Sequence, residues 1–200
     1  FEKIQTAEEL FQLEDFDQAI AAADEILKVS PECKNAVLCK ARSLARIDQR
    51  AEAVETLDVF LQNQPKDRDA LLAKGSNLAR LGKNEDALSI FKQIVQDHPN
   101  DGLAWYNLAT SQRELNQFDA ALQNFQKSQS FMQASDERVP GEFIYMVNYQ
   151  QGLIFAQKND HEKAAILFLK AIQECPWEEE ARYQLGMAYA RMGKKEDSKK

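Results

Sequence analysis

Arg42 and Arg46 stand four residues apart, and Ser76 and Arg80 repeat that spacing 34 positions later. Four-residue spacing puts the members of each pair on one face of a helix. A guanidinium presents a planar fork of donors that matches a carboxylate, so such a face either recognises acidic groups on a partner or bridges to carboxylates of its own chain. Tyr106, Asn107, Thr110 and Arg113 form a third group, Tyr149 and Gln150 a fourth, and Tyr183, Gln184 and Arg191 a fifth. Tyrosines give rigid amphipathic contact area, and side-chain amides can pair with the backbone of an extended peptide. The chemistry these residue types offer is recognition.

Residues suited to bond-making chemistry are sparse. His98 lies beside Pro99 and His161 lies at a turn, and neither has a Ser, Cys or carboxylate at a spacing that makes a triad or a metal site recognisable. The seven glycines are scattered, so no glycine-rich phosphate loop exists. Cys33, Cys39 and Cys175 are odd in number and lack C-x-x-C spacing, which reads as free thiols used in packing and points to a reducing, cytoplasmic compartment. No catalytic residue, metal or cofactor is expected. The net charge of −7 argues against binding phosphate backbones, so no nucleic-acid partner is expected. No run approaches the ~18 apolar residues that would insert into a membrane. The charge is uneven: positions 1–34 hold nine carboxylates against three lysines, six of the net negative charges.

The elements that must position these side chains are announced by a period. Ala19, Ala53, Ala87 and Ala121 step by 34, with Ala164 following after 43. Ala7, Ala41, Gly75, Ala109, Gly152 and Gly186 step by 34, except for one step of 43. Pro31, Pro65 and Pro99 keep the same beat. Ladders that share one period and one nine-residue slip mark a repeat array. Each unit reads as two amphipathic helices around a short polar turn, about Glu2–Leu13 with Phe16–Val29, Asn35–Ile47 with Arg50–Asn63, and Asp69–Leu81 with Asn84–Asp97. The pattern continues with Gly102–Leu115 and Phe118–Ala134, then Phe143–Gln157 and His161–Glu174, then Glu178–Met192. Gly82 and Gly193 are expected to close their helices in the left-handed conformation.

Trp105-x-x-Leu108-Ala109 followed by Ala121-x-x-x-Phe125 resembles the tetratricopeptide repeat, as do Leu185-Gly186-x-x-Tyr189 and Gly152-x-x-Phe155 with Ala164-x-x-x-Phe168 and Pro176. The resemblance covers essentially the whole chain. Lys40 and Lys74 depart from the pattern where it prefers Leu, and Gln112 where it prefers an aromatic. The resemblance implies an all-α, right-handed superhelical solenoid of antiparallel helix pairs across residues 1–200, with repeats at about 1–33, 34–67, 68–101, 102–144, 145–178 and a partial 179–200. It also implies that first helices line a concave groove, with Arg42, Arg46, Ser76, Arg80, Tyr106, Asn107, Thr110, Arg113, Tyr149, Gln150, Tyr183, Gln184 and Arg191 facing it. The wall so formed is basic in its first half and aromatic-amide in its second. The chaperone-binding branch of the family clamps a terminal carboxylate with a Lys/Asn/Asn/Lys/Arg set, of which only Asn107 is present in register, so that clamp is not expected.

Small residues let the paired helices approach, and Leu57, Phe91, Phe125 and Phe168 seal each unit against the next. The nine extra residues fall between Phe131 and Phe143. They fit two lengthened helices joined by a longer polar loop, or a protruding recognition element bearing Phe131, Met132 and Phe143. The absent initiator Met and the stop within a helical pattern suggest a piece of a longer protein. The function expected is a non-enzymatic scaffold that binds a protein or peptide with some acidic character. A self-assembling platform, or the targeting module of an enzyme whose catalytic domain lies elsewhere, are the alternatives.

Overall fold

The computed structural model describes residues 2–134 and 140–193. Among them the chain forms eleven α-helices and no strand. They are α1 (Glu2–Gln12), α2 (Phe16–Val29), α3 (Lys34–Arg46), α4 (Arg50–Asn63), α5 (Arg68–Arg80) and α6 (Asn84–Asp97) in a first compact unit, Phe1–Pro99. A second unit, Asn100–Lys200, holds α7 (Gly102–Glu114), α8 (Phe118–Ala134), α9 (Gly141–Gln157), α10 (His161–Glu174) and α11 (Glu179–Arg191).

The helix starts follow from capping. Asp15, Asp67, Asp101 and Asp160 each accept a hydrogen bond from a backbone N–H three residues on, satisfying a donor that the first helical turn leaves unpaired. The ends of the first helices share one device. Glu14, Asp48, Gly82, Asn116, Asn159 and Gly193 all have φ between 58° and 78°, the left-handed turn that reverses the chain into the next helix. Gly82 and Gly193 meet the expectation. Glu14 and Asp48 accept the conformation although an L side chain disfavours it by roughly 1–2 kcal/mol.

Within each unit consecutive helices pack against one another, and first helices also lie beside first helices: α1 on α3 and α3 on α5, then α7 on α9 and α9 on α11. The alanine ladder is fully buried at Ala19, Ala53, Ala87, Ala121 and Ala164. A Cβ on Gly75 would sit 2.7 Å from the Phe91 ring, and one on Gly152 would sit 2.6 Å from Phe168. Those glycines therefore exist to admit the ring of the partner helix. The lysines that break the family pattern have a structural use. Lys40 pairs with Asp24 at 2.6 Å and Lys74 with Asp58 at 2.5 Å, each joining a second helix to the next first helix.

The nine-residue slip is taken up mainly in helix. At 17 residues each, α8 and α9 outrun the 13–14 of α3 to α7. Positions 135–139 of the expected loop lie outside the described residues. The protruding-element reading does not hold for its three side chains. Phe131 stacks on Trp105 with centroids 6.5 Å apart, and Phe143 is buried against Tyr106 at 5.8 Å. Met132 lies so close to Gly102 that a Cβ there would be 2.7 Å from its Cγ. Lengthening both helices gives these apolar groups neighbours, and burial of apolar surface outweighs display. The start of α9 moves from the expected Phe143 to Gly141 because Pro140 carries φ −60° and its carbonyl accepts from the Phe143 and Ile144 amides.

Candidate interaction surface on the first helices

In the first unit the predicted arginines lie on the face of α3 that meets α1. Arg42 Nη2 donates to both carboxylate oxygens of Glu8 at 2.6 Å, and its guanidinium lies 4.7 Å from the centroid of Phe11. Arg46 repeats the arrangement with Glu14 at 3.2 Å and Phe16 at 5.0 Å. The two rings meet edge to face at 5.6 Å. Of the two readings open for these arginines, the structure adopts intramolecular pairing: each joins one repeat to the next. Exposed pairs of this kind contribute less than about 1 kcal/mol each, and an exposed cation–π contact contributes about 0.5–1 kcal/mol. Ser76 and Arg80 on α5 are exposed, and Arg80 has no carboxylate partner among the described residues.

In the second unit the aromatic-amide half of the prediction is drawn together on α7, α9 and α11. Tyr106 is half-buried between Phe125 at 5.7 Å and Phe143 at 5.8 Å, and its carbonyl accepts from the Thr110 hydroxyl at 3.0 Å. Asn107 is half-buried beside it. Tyr149 leans on Phe168 at 5.9 Å and stacks on Tyr145 at 5.8 Å with ring planes 8° apart. Burial pushes the Tyr149 phenol above its ordinary value, with Glu180 adding and Arg113 opposing. Burial, helped by Glu178 and Glu180, pushes Tyr145 up to about 12.

Arg113 is not the open cation that its residue type suggests. Its side chain is only 11% exposed, its Nη2 donates to Glu114, and its Nε is buried with no partner. Gln150 is half-buried, with Oε1 likewise buried and unpartnered. Buried polar atoms are nearly always hydrogen-bonded, so these two, with Ser111 Oγ on α7 as a third exception on neighbouring first helices, mark unspent bonding capacity.

Tyr183, Gln184 and Arg191 line a cleft of about 490 Å³ between α9 and α11. Leu153, Ala156, Gln157, Asn159, His161, Met187 and Ala188 complete it. Tyr183 is 66% exposed. Arg191 is exposed, with no carboxylate partner among the described residues. His161 Nδ1 is buried and unpartnered. Sequence reasoning set His161 aside and passed over Leu153, Ala156 and Met187, because each looks ordinary within its own helix. Comparing equivalent positions of successive repeats would have exposed them.

Among the described residues no group of three His, Cys, Asp or Glu could hold a metal ion. No helix of the described residues is long and apolar enough to cross a membrane. Cys39 is buried and its thiol donates to the Ala7 carbonyl at 3.4 Å.

The tetratricopeptide repeat model matches residues 4–71 and 72–140, and a second model of the same repeat matches residues 147–176 and 179–200. Among solved structures, PilW, described as a widely conserved type IV pilus biogenesis factor, is 18% identical and superposes with a TM-score of 0.85, covering 98% of this chain and 87% of that one. A tetratricopeptide repeat protein from Parabacteroides merdae is 17% identical, with a TM-score of 0.76 over 99% of this chain and 75% of its own. YrrB, described as having an unusual peptide-binding site, is 22% identical, with a TM-score of 0.65 over 90% of this chain and 88% of that one. At these identities the likeness is one of fold. No curated protein matches the sequence.

Proposed function

The chain belongs to the tetratricopeptide repeat family, whose arrays are protein-interaction scaffolds, and from this we propose a non-enzymatic scaffold that holds an extended protein segment on the faces of its first helices. The observation that carries the reading is the unmet bonding capacity on the first helices of the second unit. Arg113 Nε and Gln150 Oε1 are buried without partners, while Tyr183 and Arg191 are exposed beside an open cleft. A peptide backbone alternates donors and acceptors and suits such a face. The acidic preference narrows to Arg80 and Arg191, since Arg42, Arg46 and Arg113 already have carboxylate partners. YrrB, of similar fold, is described as having a peptide-binding site, which supports the class of ligand and not its identity.

The test is capture of partners from lysate by the wild type and by an Arg80→Glu/Tyr183→Ala/Arg191→Glu variant. All three side chains are exposed, so helicity and Tm should hold. The expected outcome is loss of wild-type partners by the variant. Retention of every partner would remove the first-helix face from consideration.

A further inference from the structure

The repeats of this chain are templates for one another, and the last first-helix cleft differs from the first in an informative way. Positions 145 apart are structurally equivalent: Ala41 and Gly186 occupy the same rung of the small-residue ladder. Glu14 and Asn159 both turn with φ 60°. The cleft between α1 and α3 is closed. Phe11 and Phe16 fill it, Arg42 and Arg46 lie over the rings, and Glu8 and Glu14 neutralise the arginines.

In the cleft between α9 and α11 the same positions carry Ala156 for Phe11 and His161 for Phe16. Glu8 and Arg42 are replaced together, by Leu153 and Met187, so an ion pair becomes an apolar pair. Arg46 is kept, as Arg191, while its carboxylate Glu14 has become Asn159. The loss of the Phe11 ring, with the smaller His161 imidazole in the place of Phe16, accompanies a space of about 490 Å³, within the ~300–1,000 Å³ of ordinary ligand pockets. One buried polar atom borders it without a partner, Nδ1 of His161, and the exposed Arg191 fork beside it has no carboxylate partner among the described residues.

We infer that the α9–α11 cleft is a side-chain pocket for a partner segment that presents an aromatic ring beside a carboxylate, the ring taking the place of Phe11 and the carboxylate that of Glu14. Leu153, Ala156 and Met187 form the apolar floor. Arg191 pairs with the carboxylate, as Arg46 of α3 pairs with Glu14 of the preceding repeat. Tyr183, Gln157 and Gln184 hold the backbone at the rim. This inference rests on the scaffold reading and names the ligand chemistry of one subsite within it.

A random peptide library displayed on phage, selected on the whole chain, is the experiment. Enriched peptides should share an aromatic residue with Asp or Glu within about two positions. Their affinity, read by fluorescence anisotropy, should fall about tenfold or more in Ala156→Phe/Asn159→Glu, which rebuilds the closure of the first repeat. Should that variant fold poorly, Arg191→Gln serves. It should weaken an acidic peptide while leaving its Asn or Gln analogue unchanged. Enriched peptides that lack a carboxylate, or that ignore both variants, overturn the pocket and leave the scaffold standing. A library that yields no binder also overturns the pocket, whereas the scaffold reading stands or falls on lysate capture.

Discussion

Gln112 fills a place where the repeat favours a ring: Phe155 and Tyr189 occupy the corresponding positions of later repeats. Its Oε1 accepts from Asn124 Nδ2 at 2.7 Å, and both side chains are buried. A pair of amides thus stands in for one aromatic contact across the α7–α8 hairpin. A buried hydrogen bond contributes modestly, but stranding one partner costs about 1–3 kcal/mol. Gln112→Leu should therefore destabilise the second unit by about that much, and Asn124→Leu similarly, while the double variant should cost less than the two singles added. Urea unfolding of the three proteins measures the coupling, and simple additivity would mean the bond contributes nothing to stability. The residue scale is also where the sequence is hardest to read. Gln112 is visible as a departure, but its partner lies 12 positions away and could not be chosen from among the many amides of the chain. Likewise, Arg42 and Arg46 could be placed on one face by spacing alone. That Glu8 and Glu14 meet them there depends on how far adjacent first helices are offset.

At the scale of elements, charge clasps fix one hairpin to the next. Lys34, at the start of α3, reaches Asp67 at 2.9 Å and Asp69 at 2.6 Å, while Asp67 also caps α5 through the Ala70 amide. Hydrogen bonds from Lys34 and then Arg68 hold the Asp69 carboxyl below its ordinary value of 3.8, and those from Asp69 and Asp67 hold Lys34 above its ordinary 10.5. A depressed carboxyl adds stability above its unfolded value and loses it as pH falls through the folded one. A raised ammonium adds stability below its unfolded value and loses it as pH rises through the folded one. The stability difference between the wild type and Lys34→Met should accordingly be constant between about pH 4 and pH 10.5, shrinking on either side. Because Lys34 is 38% and Asp69 43% exposed, solvent screening keeps it below about 1 kcal/mol. Thermal unfolding across pH checks this, and a difference that persists at pH 2 would assign the effect to lost packing. Element boundaries were legible in the sequence to within two residues, because Asp caps, prolines and apolar period coincide. The lengthening of α8 and α9 was legible only as one of two options, since Phe131, Met132 and Phe143 read as display or as core until their neighbours are known.

For the whole molecule, the 34-residue period made the architecture legible because each repeat obeys the same nearest-neighbour rule, and stability in such arrays is close to a sum over neighbours. The period does not reveal where the chain divides. Pro99 is one of three prolines on the same beat, no different in sequence from Pro31 and Pro65, yet the compact units meet at Pro99 and Asn100. Each unit has its own fully buried large side chains, Leu57, Phe91 and Ile94 in the first and Phe125, Val147, Ile154 and Phe168 in the second. Each also has complete helix pairs on which to stack, which a single hairpin lacks. The fragment Phe1–Pro99 should then fold alone, with helical circular dichroism and a cooperative urea transition whose m value is about half that of the whole chain, since m tracks the surface exposed on unfolding. Its first 34 residues hold six net negative charges. Self-repulsion among them falls as salt shortens the screening length from about 10 Å at 0.1 M to about 3 Å at 1 M. The fragment should therefore gain stability over that range of sodium chloride, and a disordered fragment at both salt concentrations would mean that the boundary at Pro99 is one of geometry without separate stability.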